Sequence, residues 1–214
     1  MSDAKLGIFI HYGLYSVPSY SDKEQYAEWF YKGLISNDSL RINFQKEVFG
    51  ENFEYRDYKD LFKAELFDAA EWADLFAKSG AKYILFTSKH HDGYCMWDSE
   101  YAKGWSSATT TPNRDFCAEL ADEVRKRGVS FGLYYSLTEW TNPLYRWTVD
   151  TNISIDNYVD KHLIPQFKEL VDKFKPSVIF SDGDWDFNHK SFRSNEMVQY
   201  YYDVVGEEGI VNDR

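Results

Sequence analysis

The sequence is poor in cysteine and in positive charge, and it has no long hydrophobic run. Cys95 and Cys117 are the only cysteines among 214 residues; they lack metal-site spacing and make no disulfide framework. The compartment therefore stays open. Lys and Arg number 24 against 35 Asp and Glu, a formal net charge of −11. Neutralising phosphate needs a basic face, so this balance weighs against a nucleic-acid partner and against an anionic membrane surface. No apolar stretch reaches the length of a membrane span. The opening segment, "MSDAKLGIFIHYG", turns apolar and β-like within a few residues and does not read as a secretory leader. No Gly-rich phosphate loop follows the first strand, which argues against a dinucleotide fold. There is also no Gly-x-Ser-x-Gly elbow and no Cys/His pair for nucleophilic catalysis.

What is present reads as one globular domain: 43% hydrophobic, 28% charged and 19% aromatic, in a chain long enough for a sizeable core. Most aromatics are expected to fill that core, and a few to stack on a flat ligand. Short apolar runs alternate with amphipathic patterns. Strands are expected at 6–13, 81–93, 129–136, 177–184 and from 210 onward. Helices are expected at 67–80, 114–128 with Asp115 as N-cap, 156–175 with Pro165 as a kink or late start, and 194–209. The 36–62 segment reads as a long loop of underivable shape. This rhythm predicts βα units around a parallel sheet.

Every expected strand ends in polar chemistry. The tips carry His11; His90, His91 and Asp92; Tyr134, Tyr135 and Ser136, followed by Glu139 and Trp140; Asp182 and Asp184; and Asn212, Asp213 and Arg214. A (β/α)8 barrel gathers all its strand tips on one face, whereas an open α/β sheet binds mainly at one switch point, so five functional tips favour the barrel. Two chemistries fit these groups. One is glycoside hydrolysis, which needs two carboxyl groups and several hydrogen-bonding side chains around a sugar. Asp182 follows "SVIF" and is held by a strand, and Gly183 lets the backbone turn away. The other is metal-assisted hydrolysis with His11, His90 or His91, and Asp182 as ligands. Only one histidine stands on the first strand, and adjacent histidines on a strand are expected to diverge, which weighs against a metal.

Several long motifs, in order along essentially the whole chain, resemble the α-L-fucosidases of glycoside hydrolase family 29. They are "AKLGIFIHYGLYSVPSY", "AEWF", "FDAAEWADLFAKSGAKYILFTSKHHDGYCMWDS", "FGLYYSLTEW", "PSVIFSDGDW" and "VNDR". The resemblance implies a (β/α)8 barrel and a retaining exo-glycosidase that removes terminal α-L-fucose from oligosaccharides or glycoconjugates through a covalent glycosyl-enzyme intermediate. It implies Asp182 as the nucleophile. It also implies that His11, Glu28, Trp29, His90, His91, Tyr135, Phe180 and Arg214 line the fucose pocket, with no metal and no organic cofactor. Relatives of this kind are commonly secreted, periplasmic or lysosomal. Two positions depart from the family pattern: Phe180 stands where Trp is usual, and "HYG" (11–13) where His-Trp-Gly is usual. Both changes are expected to reshape the pocket.

Residues 1–214 thus read as a catalytic barrel domain cut short on its C-terminal side, with about five of eight βα units. A further C-terminal portion, or a second copy of the chain in a homo-oligomer, is expected to complete it. The family's usual acid/base lies beyond Arg214; within this chain Glu28 is the candidate acid, because it is expected on the same face as Asp182. A fucose-binding pseudo-enzyme and a metal-dependent barrel hydrolase remain the alternatives.

Overall fold

The computed structural model describes residues 4–23, 25–145 and 154–212. Five strands form one sheet: β1 (Gly7–Ile10), β2 (Tyr83–Lys89), β3 (Ser130–Ser136), β4 (Val178–Asp182) and β5 (Ile210–Val211). Every neighbouring pair is parallel, and the spatial order is the chain order. That order has no reversal, so it has no switch point. All the C-terminal strand tips consequently lie along one edge, as in consecutive strands of a (β/α)8 barrel.

Nine helices accompany the strands among the described residues. The β1–β2 connection carries α1 (Phe30–Ile35), α2 (Ser39–Phe49), α3 (Tyr58–Leu61) and α4 (Ala69–Lys78). Next come α5 (Phe116–Lys126) before β3, α6 (Asp156–Tyr158) and α7 (Ile164–Phe174) before β4, and α8 (His189–Phe192) and α9 (Ser194–Val205) before β5. Asp115 caps α5 as expected, accepting from the Ala118 N–H at 2.8 Å, and Asp68 caps α4 the same way from Glu71 at 2.9 Å. Pro165 lies inside a helical run that is unbroken from Asp156 to Phe174. It sits in the first turn of α7, directly after a π-turn at Val159–Leu163 that continues α6. No helix among the described residues is long and apolar enough to cross a membrane.

The 36–62 segment is not the loop the sequence suggested, since it holds α2 and α3. The register of α2 is inverted relative to a normal amphipathic helix. Arg41 and Gln45 are buried, while Leu40 and Val48 are exposed. Arg41 pairs with Asp38, the N-cap of α2, and Gln45 donates to the Phe53 carbonyl at 2.8 Å. Rings supply the apolar packing: Tyr20 stacks on Phe44 at 4.0 Å, and the fully buried Tyr58 meets Phe30, Phe49 and Phe53.

The strands divide their side chains by parity. Ile84, Phe86, Phe131, Leu133, Tyr135 and Ile179 join the core beneath α5 and α7. Phe9, Tyr134 and Phe180 face the other side, with ring centroids 5.2–6.1 Å apart. Gly132 lies among these inward residues because a Cβ there would come within 3.0 Å of the Leu85 side chain, the Val178 Cβ and the Ile84 carbonyl.

Candidate active site

Asp182 ends β4 and is 8% exposed. One carboxylate oxygen, Oδ2, accepts from the Tyr134 hydroxyl at 2.8 Å; the other accepts from the Gly183 N–H at 3.0 Å. Gly183 has φ +99°, and a Cβ there would strike Thr138 at 2.9 Å, so only glycine turns the chain this tightly behind the carboxylate. His91 Nε2 stands 3.7 Å from the same Oδ2.

The hydrogen-bond directions place a proton on Nδ1 of two imidazoles. Thr87 donates its single hydroxyl proton to the Ile10 carbonyl at 2.8 Å, so at its 3.0 Å contact with His11 Nδ1 it accepts. His11 therefore carries its proton on Nδ1 and keeps Nε2 as an acceptor. Ser136 likewise donates to the Thr138 carbonyl at 2.7 Å and accepts from His91 Nδ1 at 2.6 Å. Burial lowers the His11 pKa, with the Glu28 and Asp182 carboxylates pulling the other way. His90 is pushed well below the usual histidine range by burial and by its neighbours His91 and His11. Its ring stacks on Tyr134 at 5.4 Å, and its buried Nδ1 has no hydrogen-bond partner among the described residues.

A cleft of about 510 Å³ opens over these groups, lined by His11, Gln25, Tyr26, Glu28, Trp29, His90, Asp182 and Trp185. The turn Ala27–Trp29, which leads into α1, delivers Glu28 and Trp29. Trp29 packs against His91, Trp140 and Trp185 with centroids 5.2–5.7 Å apart, forming an aromatic wall.

The structure brings His11, Glu28, Trp29, His90 and Asp182 to one cleft, with His91 beside Asp182. The two histidines do not diverge: they follow the last residue of β2, their rings are 4.2 Å apart, and both meet Tyr134. Among the described residues, no three His, Cys, Asp or Glu side chains are grouped as a metal-ligand set. Tyr135 does not line the cleft. Its side chain lies on the helix side of β3, donating to Gln166 Oε1 at 2.9 Å, and Tyr134 occupies the inward position instead. The run Phe131, Leu133, Tyr135 is a period-two apolar series, and counting it identifies Tyr134 as the inward residue. Phe180 sits beside Tyr134 as an inward aromatic, stacked at 6.1 Å. Tyr12 packs among Phe62, Phe67, Trp72 and Phe116, so that departure is absorbed by the core and not by the cleft. Asp184 faces a separate cavity of about 220 Å³ with Ile179 and Val211. Arg214 lies outside the described residues. Trp185 and Tyr26 also line the cleft, and nothing in their spacing separates them from core aromatics.

A sequence model described as Alpha-L-fucosidase matches residues 1–214. Among curated proteins, the chain is 42% identical over 219 residues to an alpha-L-fucosidase of Dictyostelium discoideum, covering 99% of this chain and 47% of that protein. It is 37% identical over 214 residues to the tissue alpha-L-fucosidase of Rattus norvegicus, covering 99% of this chain and 46% of that one. Among solved structures, the Thermotoga maritima alpha-fucosidase superposes with a TM-score of 0.85 at 39% identity, over 99% of this chain and 52% of that one. The chain therefore spans about half the length of the relatives it matches. With the sequence model matched over residues 1–214, the chain belongs to the α-L-fucosidase family.

Proposed function

We propose that the protein hydrolyses terminal α-L-fucosides with retention of configuration, and that residues 1–214 supply the first five βα units of its catalytic barrel domain. Asp182 attacks the anomeric carbon as the leaving oxygen is protonated, giving a covalent fucosyl-enzyme ester; water then releases fucose and restores the carboxylate. The observation that carries this reading is the setting of Asp182: a carboxylate oriented by Tyr134 and the Gly183 N–H, at the foot of a cleft walled by histidines and indoles. His11 offers Nε2 as an acceptor to a sugar hydroxyl, and the His90 ring lines the cleft beside it. Trp29 and Trp185 offer apolar faces to the sugar's methyl group and ring. The leaving-group proton comes from a carboxyl beyond Arg214, as in the family pattern, or from Glu28, which shares the cleft with Asp182.

The test uses the longest natural form of the protein and an aryl α-L-fucoside. Asp182→Ala is expected to lower kcat by about 10⁴-fold, in the range seen when a nucleophilic unit is broken. Azide should restore turnover and yield the inverted β-L-fucosyl azide. Equal kcat in the wild type and the variant would remove Asp182 from the role. Saturable fucose binding without turnover in the wild type would make the protein a binding module.

A further inference from the structure

Lys89, the last residue of β2, points the wrong way for its pleat. Thr87, two residues earlier, faces His11 on the inner side of the sheet. An unbroken strand would place Lys89 beside Thr87 and turn His90 toward the helices. The register slips instead: Thr87 pairs with Tyr134 and Lys89 with Tyr135, leaving Ser88 as an extra residue. The slip swings Lys89 into the helix layer and leaves His90 facing the cleft and His91 beside Asp182.

In the helix layer the Lys89 ammonium is wholly buried. It donates to Glu139 Oε1 at 2.6 Å and to Gln166 Oε1 at 2.9 Å, and lies 4.1 Å from the Tyr135 ring centre. Glu139 also takes hydrogen bonds from His162 Nε2 at 2.6 Å and Asn142 Nδ2 at 3.1 Å. Burial alone would raise the Glu139 carboxyl, but Lys89 and His162 hold it down to about 2, so it stays ionised. Each member of the pair is the chain neighbour of a wall residue. Lys89 precedes His90, and Glu139 precedes Trp140. The Trp140 N–H donates to the His91 carbonyl at 2.8 Å, and its ring lies 5.0 Å from His91 and 5.2 Å from Trp29.

We propose that the buried Lys89–Glu139 pair, braced by His162, is a positioning clamp: it holds the Ser88 bulge and so directs His90 into the cleft and sets His91 and Trp140 against Asp182 and Trp29 at its wall. The assignment of that cleft to fucose rests on the function proposed above. Stability does not account for the pair, because two buried charges cost much of what their attraction returns, and an apolar pair of similar volume serves packing as well. What an apolar pair cannot supply is a reason for residue 89 to leave its normal face. The ammonium leaves that face for the carboxylate.

The deciding variant is Lys89→Met/Glu139→Leu in the longest natural form, which removes both charges at similar volume. A folded variant is expected to lose about tenfold or more in kcat/KM, carried mainly by KM, with a matching rise in the Kd for L-fucose. The ring resonances of His90 and His91 should also move in NMR spectra of histidine-labelled protein. A folded variant with kcat/KM within about twofold of wild type, or with unmoved histidine resonances, overturns the clamp. If the double variant does not fold, His162→Gln and His162→Leu replace it. Gln keeps a donor to Glu139 and should preserve the histidine resonances and KM, whereas Leu should shift both; identical behaviour of the two overturns the proposal. A wild type that neither hydrolyses fucosides nor binds fucose refutes the function, and the resonance comparison then decides the clamp by itself.

Discussion

Tyr134 and Tyr135 stand side by side on β3, and their hydroxyls work on opposite faces of the sheet. Tyr134 donates to Asp182 at 2.8 Å, and Tyr135 to Gln166 at 2.9 Å. A hydrogen bond to an ionised carboxylate is worth about 1.5–3 kcal/mol, against about 1 kcal/mol for a neutral one. Tyr134→Phe keeps the ring that stacks on His90 and Phe180 and removes the hydroxyl that donates to Asp182 and lies 3.4 Å from His91 Nε2. It should therefore lower kcat/KM for an aryl α-L-fucoside by about 10–100-fold with little change in the unfolding midpoint. Tyr135→Phe should show its cost chiefly in thermal unfolding, at about 1 kcal/mol. Steady-state kinetics and calorimetry on the two variants separate the faces, and a larger kinetic loss in Tyr135→Phe would reverse the two roles.

The turn after β2 is the element that concentrates the site, and it places two groups with opposite pH behaviour within three residues. Burial and the neighbouring imidazoles depress His90, so its unfolded form binds protons that the folded form does not, and stability is lost as pH falls below about 6.5. Asp92 goes the other way. Burial raises its carboxyl to about 6, although the Tyr55 hydroxyl and the Tyr94 N–H favour the ionised form. Its contribution is present in full below the unfolded value near 3.8 and is lost as pH rises to about 6. Asp92→Asn removes this pH dependence, so relative to wild type the variant should gain stability between pH 4 and 6, by up to about 3 kcal/mol. Denaturant unfolding at several pH values checks it; parallel curves for the two proteins would show that Asp92 does not titrate in this window. How much of this is legible in sequence depends on the element. The βα rhythm is, because β2, β3 and β4 are continuous apolar runs and α4 and α5 carry N-caps and a buried stripe. The grouping of His11, His90, His91 and Asp182 follows from their places at strand ends. The slip at Ser88 is not legible, since it depends on a Lys89–Glu139 contact across 50 residues. Nor is α2, whose buried Arg41 and exposed Leu40 contradict the pattern by which a surface helix is recognised.

At the scale of the whole molecule, the consecutive order β1 to β5 leaves β1 and β5 as the two margins of the sheet. The inner face behind them is apolar as well as polar: Phe9 is 42% exposed although it packs on Tyr134 and Phe180, and Leu6 beside β1 is 47% exposed. Paired on one side only, such margins invite pairing with another chain. The net charge of −11 opposes that association by mutual repulsion, an effect that salt screens beyond about 8 Å at physiological strength. Residues 1–214 produced alone should therefore self-associate, and more so as salt increases, whereas a longer form that covers both margins should stay at one size throughout. Size-exclusion chromatography with light scattering, at low salt and at about 0.5 M, distinguishes the cases. Phe9→Ser should weaken the association of the 214-residue chain by removing an exposed inward aromatic. A monomer at both salt concentrations would mean that the margins protect themselves, and that five βα units suffice for a closed-off fold.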